Sequence, residues 1–202
     1  QQQIKRRGVQ DERLINALRL TPRHLFVPEK YRQAAYEDTP VPIGFNQTIS
    51  QPYIVAFMVE RLQLRSDESV LEIGAGSGYQ TAVLAQLCKS VYSIEIVPEL
   101  ATRCSRLLNE LGYGNAHIRC GDGYAGWREH GPFDAIILSA APTQVPERLV
   151  EQLAPGGRMI LPMGVFEQAL LYIYKDKDGT VHRQQSLSVK FVPMTGLAEQ
   201  IN

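Results

Sequence analysis

The stretch SVLEIGAGSGY, residues 69–79, decides the fold class because it joins an apolar run to a glycine-rich turn. The apolar run predicts a buried strand, and the alternate glycines predict a sharp turn that a ligand can approach closely, since glycine has no Cβ. A helix is predicted directly after the turn, at 79–88, and its N-terminus offers unpaired N–H groups to an anion. Dinucleotide-binding folds favour the spacing G-x-G-x-x-G, but Tyr79 stands where the last glycine would fall. With Glu72 just before the loop, the spacing suits a ligand with a carboxylate or amino-acid tail better than a pyrophosphate.

Strands and helices alternate on the C-terminal side of this turn. Further strands are predicted at 90–96, 116–123, 133–141 and 158–164, and helices at 98–113 and 145–157. Such alternation predicts a parallel sheet with helices on both faces. The run 169–196 instead contains two strand-like stretches about the turn at 175–179, which predicts an antiparallel hairpin. The expected fold class is α/β, with a mostly parallel, doubly wound, Rossmann-like sheet and an antiparallel C-terminal hairpin.

The N-terminal side is less regular. An amphipathic helix is predicted at 9–20, followed by a proline-rich irregular segment at 21–52 with a short helix near 31–36. Long irregular segments inside compact domains are often functional. A further helix is predicted to begin at Ser50-Gln51-Pro52, with Ser50 as its N-cap and Pro52 in its first turn.

Two acidic residues extend the pattern begun by the glycine loop. Glu95 ends the second predicted strand, where a carboxylate can accept hydrogen bonds from two ribose hydroxyls. Asp122, between Gly121 and Gly123, follows the third strand and can accept from the exocyclic amine of a purine. Taken singly, the glycine loop also fits a tight turn, Glu95 a surface acid at the end of a strand, and Gly121-Asp122-Gly123 a plain turn. Because they follow successive parallel strands, together they predict a nucleoside with an amino-acid arm, S-adenosylmethionine.

Composition excludes several classes of protein. The balanced charge, 21 Lys and Arg against 21 Asp and Glu, argues against a protein held on nucleic acid mainly by phosphate neutralisation. No apolar run reaches the roughly eighteen residues that span a bilayer. The three widely spaced cysteines form neither a disulfide framework nor a zinc pattern, so we predict no metal. We expect a cytoplasmic monomer that binds neither nucleic acid nor membranes. The three leading glutamines indicate a processed or trimmed chain, which leaves a removed targeting segment open.

Several stretches resemble those of a known family. The motifs similar to those of class I methyltransferases are VLEIGAGSGYQTAVLA (70–85), SIEIVPELA (93–101), GDGYAGW (121–127), FDAIILSAAP (133–142) and LAPGGRMILPMG (153–164). They take the form used by protein-L-isoaspartate (D-aspartate) O-methyltransferases. Two further stretches are specific to that family, NQTISQP at 46–52 and FVPMTG at 191–196. The resemblance covers 8–196, nearly the whole chain.

The resemblance implies a class I S-adenosylmethionine-dependent methyltransferase that acts on isoaspartyl residues in damaged peptides and proteins and releases S-adenosyl-L-homocysteine. Ser50 matches the serine treated as catalytic. The expected cofactor-binding residues are Ser50, Glu72, Gly74, Ala75, Gly76, Ser77, Gly78, Glu95, Asp122 and Gly123. The expected substrate-binding residues are Thr48, Ile49, Gln51, Pro52, Tyr53, Val192, Pro193 and Met194. Many members of the family have Ala-Pro-His where this chain has Gln51-Pro52-Tyr53, and Val-Pro-Leu where it has Val192-Pro193-Met194. This chain therefore departs from the family at Gln51, Tyr53 and Met194.

The resemblance also implies that three segments of a single domain, 1–202, have different roles. Residues 1–68 are expected to form an N-terminal extension that contributes to the substrate site, 69–164 the cofactor-binding core, and 165–202 the hairpin and substrate-binding tail. The implied acceptor is a carboxylate, which is ionised at neutral pH and needs no strong base. Ser50 is therefore expected to orient the acceptor. The alternatives are another class I methyltransferase, acting on a small molecule, RNA or another protein group, and a dinucleotide-binding module without catalytic activity.

Overall fold

The computed structural model describes residues 2–200 and places a seven-stranded sheet at the centre of the molecule. In chain order the strands are β1 (Val41–Gly44), β2 (Gln47–Ile49), β3 (Ser69–Ile73), β4 (Ser90–Glu95), β5 (Ala116–Cys120), β6 (Phe133–Leu138), β7 (Leu153–Met163), β8 (Gln168–Lys175) and β9 (Val181–Val189). The large sheet has the order β5-β4-β3-β6-β7-β8-β9, parallel as far as β7 and antiparallel beyond it. The predicted fold class, including the C-terminal hairpin, is confirmed.

Six α-helices surround this sheet within the described residues: α1 (Gln2–Lys5), α2 (Glu12–Leu20), α3 (Pro52–Leu62), α4 (Tyr79–Ala85), α5 (Pro98–Glu110) and α6 (Glu147–Glu151). Short 3₁₀ turns lie at Arg23–Phe26, Glu29–Ala34, Gly123–Ala125, Arg128–His130 and Gly196–Gln200. None of the helices in residues 2–200 combines the length and apolar character that a membrane crossing requires.

The core has two layers because successive side chains of a strand point to opposite faces of the sheet. On β6, Ala135 and Ile137 pack into the cluster formed with α2, α3, α4 and α5. Ile136 and Leu138 pack into the second cluster, which contains residues of α6 and the tail residue Met194. Burial of each large apolar side chain contributes roughly 1.5–3 kcal/mol, so both layers hold the sheet in place.

The predicted helix at 145–157 is too long. The structure keeps only Glu147–Glu151 as α6, and the Pro155-Gly156-Gly157 segment belongs to β7. Leu153 pairs with Phe133 of β6, and a register shift follows before Arg158 pairs with Ala135. The strand therefore starts earlier than expected because its first residues already bond to β6.

The proline-rich segment contains a hairpin that the sequence reading missed. β1 and β2 pair antiparallel about Phe45 and Asn46, whose φ angles of 53° and 57° place both in the left-handed region. A two-residue hairpin turn with both φ angles positive usually has the sequence Asn-Gly. Here the two residues are Phe45 and Asn46, so the sequence gives no recognisable turn signal. The hairpin brings 47–49 alongside the cofactor-binding core, so the segment before α3 is held by strand pairing.

Ser50 is not the N-cap of α3, contrary to prediction. The cap is Gln51, whose side chain makes no capping bond. The carboxylate of Asp38, which is remote in sequence, caps the helix in its place. It accepts hydrogen bonds from the Tyr53 N–H at 3.1 Å and from Gln51 Nε2 at 2.7 Å. The Ser50 hydroxyl is therefore not used to start the helix.

A buried ion pair fixes the end of α3 to the sheet. Arg158 on β7 donates to both carboxylate oxygens of Glu68 at 2.8 Å and to the Leu62 carbonyl at 2.6 and 2.8 Å. Although burial alone would raise the pKa of Glu68, the hydrogen bonds from Arg158 lower it. These bonds satisfy carbonyls that the last turn of a helix leaves without partners.

Candidate active site

A cavity opens where the chain leaves the carboxyl ends of β3, β4 and β6. This is where the order of an open α/β sheet reverses, since β4 and β6 lie on opposite sides of β3, and such points commonly bind ligands. Its lining includes residues of the glycine loop, the strand ends, the β2 segment and the tail: Gly74, Ala75, Gly76, Ser77, Tyr79, Gln80, Glu95, Ile96, Gly123, Ser139, Gln47, Thr48, Ile49, Ser50, Val192, Pro193, Met194 and Thr195.

The glycine loop turns sharply at one wall of this cavity. Gly74, Gly76 and Gly78 have φ angles of 90°, 53° and 85°, which favour glycine because L side chains are strained there. The Gly74 N–H donates to the Ile94 carbonyl at 2.8 Å, and the Gly78 N–H donates to the Ala75 carbonyl at 2.8 Å. The turn is thereby fixed to β4, and its backbone faces the cavity.

Gly78 does not line the cavity, although the sequence placed it among the cofactor residues. A Cβ at this position would lie 2.8 Å from Cys104 Sγ on α5. The third glycine therefore allows the loop to pack against α5, and its role is structural.

Substituting alanine at Gly78 is expected to lower the free energy of unfolding by about 2 kcal/mol, from backbone strain plus overpacking. Gly112 is a matched control because its φ of 81° is similar but a Cβ there meets no atom within 4 Å. Gly112→Ala should cost about 1 kcal/mol, from strain alone. Urea unfolding of both variants measures the difference, and equal losses would contradict the packing role.

Glu95 ends β4 at the cavity wall and is only 5% exposed. Its Oε2 accepts from the Gly76 N–H at 2.7 Å and its Oε1 from the Val97 N–H at 2.9 Å. One carboxylate thus connects the glycine loop to the turn before α5. Each oxygen keeps further acceptor capacity for a ligand hydroxyl.

Glu72 lies behind the cavity and is not among the residues that line it. Its side chain is fully buried and accepts from Gln80 Nε2 at 3.0 Å and from the hydroxyls of Thr81 and Ser93. Burial raises the pKa of this carboxyl to about 7, although the three hydrogen bonds oppose the shift. Gln80 Nε2 also donates to Ser139 Oγ at 3.0 Å. Glu72 therefore supports Gln80 and Ser139, two lining residues that the sequence reading missed.

Asp122 binds the tail in this structure, and only its neighbour Gly123 lines the cavity. Its Oδ1 accepts from the Tyr124 N–H at 2.8 Å and its Oδ2 from the Leu197 N–H at 2.7 Å. The predicted adenine-side acid thus also joins the loop after β5 to the C-terminal segment.

The tail forms a further wall. The Ala141 N–H donates to the Val192 carbonyl at 2.8 Å, and the Met194 N–H donates to the Ala141 carbonyl at 2.8 Å. These two bonds form a short parallel bridge at Pro193. Val192, Pro193 and Met194, which the resemblance implies as a wall of the substrate cleft, all line this cavity.

Ser50 stands where the cavity meets a neighbouring groove. Four residues line both spaces: Thr48, Ser50, Ser139 and Val192. Gln51 lines the groove alone and Ile49 the cavity alone. The Ser50 carbonyl accepts from Arg23 Nη2 at 2.7 Å, while its hydroxyl bonds to no residue in the described part of the chain. A free hydroxyl is thus held at the junction of the two spaces.

Pro52 and Tyr53 line neither the cavity nor the groove. Tyr53 is buried in the first turn of α3, and the Arg7 guanidinium covers its ring at 3.4 Å. Pro52 faces a different depression, near α2 and Tyr36. The helix begins at Pro52, so its first turn directs these two side chains away from the groove.

Arg23 was missed by sequence reasoning. It is 1% exposed and donates through Nε to the Ala35 carbonyl at 2.7 Å, as well as to Ser50. Burial lowers the pKa of this guanidinium to about 10. No motif marks Arg23, because its role depends on the path of 21–52 in space.

Comparison with known proteins places this chain in a family. The family model described as protein-L-isoaspartate(D-aspartate) O-methyltransferase matches residues 1–199. The chain belongs to the protein-L-isoaspartate(D-aspartate) O-methyltransferase family. A family member from Myxococcus xanthus, named protein-L-isoaspartate O-methyltransferase, is 53% identical over 197 residues, which are 96% of this chain and 93% of that protein.

Solved structures of this family share the fold. A Plasmodium falciparum structure, described as a β-aspartate methyltransferase in complex with S-adenosyl-L-homocysteine, has a TM-score of 0.84 at 28% identity, covering 96% of this chain and 95% of that one. Another protein-L-isoaspartate O-methyltransferase structure has a TM-score of 0.86 at 30% identity, covering 96% of this chain. The alignment spans 64% of that second chain, slightly less than two thirds of its length.

Proposed function

We propose that this chain transfers a methyl group from S-adenosylmethionine to the free α-carboxylate of L-isoaspartyl residues in damaged peptides and proteins. One observation carries the proposal beyond family membership. The free hydroxyl of Ser50 lies at the junction between a cavity bounded by the glycine loop and a groove bounded by the tail. A donor in the cavity and an acceptor in the groove would meet at that junction.

The residues present fit the proposed cofactor. The backbone of Gly74 and Gly76 can lie close to an amino-acid arm, and Glu95 offers acceptors for ribose hydroxyls. Ile96 and Gly123 line the same cavity and leave an apolar surface for a flat base. When bound, S-adenosylmethionine supplies an electrophilic methyl group on a sulfonium sulfur. The remaining contribution of the protein is to bind and orient the acceptor.

The acceptor requires no general base. An isoaspartyl α-carboxyl resembles a terminal carboxyl, with a pKa near 3.5, so it is already an anion at neutral pH. The cavity agrees with this chemistry because none of the four histidines lines it: His24, His117, His130 and His182. Methylation of an amine or hydroxyl would need a group to remove a proton.

Ser50 is proposed to orient the carboxylate. A hydrogen bond from its hydroxyl fixes one oxygen of the acceptor and leaves the other free to attack in line. Arg23 holds the Ser50 carbonyl and so fixes the position of this hydroxyl. Positioning of two reactants can contribute about 7–11 kcal/mol at best. Methoxide leaves an ester more readily than an oxide ion leaves a carboxylate. The following backbone nitrogen therefore attacks the ester carbonyl to close a succinimide and release methanol, and hydrolysis then returns part of the damage to aspartate.

The division of the chain follows from this function. We propose that 1–68 and 165–202 build the peptide cleft around the cofactor-binding core, 69–164. We also propose a monomer that acts in the cytoplasm without nucleic acid. The balanced charge supports this, as do the three free cysteines, two of them buried. Burial raises the pKa of the Cys88 thiol to about 12, which makes it unreactive.

Transfer of labelled methyl groups tests the function. The chain should label a peptide that contains L-isoaspartate, and the label should be released by mild base, as expected of a methyl ester. The same peptide with normal aspartate is the control and should remain unlabelled. Equal labelling of the two peptides, or labelling of neither, would contradict the proposal.

A further inference from the structure

The groove beside Ser50 continues past the reacting position. One side of α3, together with its N-cap residue Gln51, lines this groove and the space beyond it. Gln51 and Ile54 line the groove, and Phe57 and Arg61 line a second depression beyond it. These residues are spaced by three, three and four positions, so they form one stripe on the helix surface. Arg7 lines both spaces and connects them.

The outer strands form the floor of the same trough. On β9 and just after it, Ser188 and Lys190 line the groove, while Gln184 and Ser186 line the second depression. The order along β9 is therefore the reverse of the order along α3. Gln184 pairs with Tyr172 of β8, which also lines the depression. One trough thus runs between α3 and the outer strands.

The length of the trough suits an extended peptide. The ten helical steps from Gln51 to Arg61 span about 15 Å. The six strand steps from Lys190 to Gln184 span about 20 Å. At about 3.3 Å per residue, the trough accommodates roughly four to six residues of extended chain.

The chemistry of the trough favours an acidic chain. Ile54 and Phe57 are half-buried and give an apolar wall, with Gln184, Ser186 and Ser188 as exposed polar groups on the floor. Arg61 and Lys190 are exposed and form no ion pair with another described residue, although the Arg61 guanidinium lies 5.1 Å from the Phe57 ring centroid. The neighbouring acid, Glu60, already accepts from the Gln10 and Asp11 N–H groups at 2.6 and 2.9 Å. Asp11 and Glu60 both line the second depression, but no ion pair within the described residues joins either acid to Arg61 or Lys190, so both cations can still bind carboxylates of a ligand.

We propose that this trough is a second substrate subsite, which binds the chain flanking the isoaspartyl residue and selects acidic residues three to six positions away. The inference rests on the proposed function, because the trough begins at the junction marked by Ser50. Arg61 and Lys190 bind the acidic side chains, and Ile54 and Phe57 pack against the intervening residues.

Peptides of matched sequence test the subsite. A hexapeptide with a central L-isoaspartate is extended by six residues on its N-terminal or its C-terminal side, each as a glutamate-rich and a lysine-rich version. The glutamate-rich extension on one of the two sides should lower KM about threefold to tenfold relative to the lysine-rich one. The difference should shrink in 0.5 M salt, since exposed charges are screened. Equal KM values for both versions on both sides would overturn the inference.

Charge reversal assigns the effect to the trough. Arg61→Glu should reduce the ratio of kcat/KM between the glutamate-rich and lysine-rich peptides by about threefold or more. Arg106→Glu is the matched control, an exposed arginine on α5 that lines none of these spaces, and it should keep the ratio of the parent chain. An unchanged ratio in Arg61→Glu would refute the subsite. Failure to methylate the unextended hexapeptide would instead refute the proposed function.

Discussion

Ser50→Ala is expected to lower kcat on an isoaspartyl peptide about hundredfold, and to weaken the binding of S-adenosylmethionine far less. A misplacement of about 1 Å can cost a factor of about 10² when the rate depends on in-line positioning. The carboxylate loses charge as it attacks, so a hydrogen bond to it does not stabilise the transition state by charge. The loss should therefore come from orientation. Steady-state kinetics and calorimetric titration of the cofactor measure the two quantities.

A neighbouring hydroxyl provides the control for this experiment. Ser139 also lies at the junction, but its Oγ accepts from Gln80 and is part of the supporting network. Ser139→Ala should lower kcat much less than Ser50→Ala. Unchanged turnover in Ser50→Ala, or equal losses in the two variants, would remove Ser50 from its proposed role.

The fold and the cofactor wall could be predicted from the sequence because their signals are local. Gly74 and Gly76 follow a strand directly, and Glu95 ends the next one, so parallel pairing alone brings them together. The tail residues Val192 and Met194 needed the family motif, since no local pattern shows that 192–194 bonds to Ala141. Their place depends on how the hairpin returns to the sheet.

The rest of the site depends on tertiary packing. Asp38 caps α3 across a sequence separation of fifteen residues, which leaves the Ser50 hydroxyl free. Tyr53 follows the motif in sequence, yet the start of the helix turns its ring towards Arg7. The resemblance marks Ser50 and Tyr53 alike as contacts of the substrate, whereas the structure places Ser50 at the junction and the Tyr53 side chain outside both spaces.

Glu72 shows the same limit and leads to the second large effect. Its position before the glycine loop suggested contact with the ligand. Residues of a parallel strand alternate between faces, however, and Glu72 meets Thr81 and Ser93 inside the protein. A fully buried carboxyl without a cationic partner favours its neutral form, because burial penalises the charge. The contribution of Glu72 and its hydrogen-bond partners to the free energy of unfolding should therefore depend on pH.

Glu72→Gln is expected to remove a pH-dependent loss of stability of about 3 kcal/mol. The folded carboxyl keeps its proton up to its raised pKa of about 7, whereas the unfolded one loses it near 4.5. Between these values the folded state binds more protons, so raising the pH destabilises it, by about 1.36 kcal/mol for each unit of the shift. The favourable contribution of the neutral acid is complete below pH 4.5 and lost as the pH rises through 7.

Urea unfolding of the parent chain and of Glu72→Gln at pH 5 and pH 8.5 measures this linkage. Glutamine resembles the protonated acid, so the variant should gain about 2.5 kcal/mol relative to the parent between the two conditions, the remainder of the loss having occurred below pH 5. Glu151→Gln is the control, because this exposed acid faces Arg128 at the surface and its substitution should give nearly the same difference at both pH values. Other titrating groups cancel when each variant is compared with the parent at the same pH. The difference in the free energy of unfolding between Glu72→Gln and the parent should therefore grow as the pH rises. If this difference stays constant or falls, Glu72 is ionised in the folded protein throughout the range from pH 5 to pH 8.5.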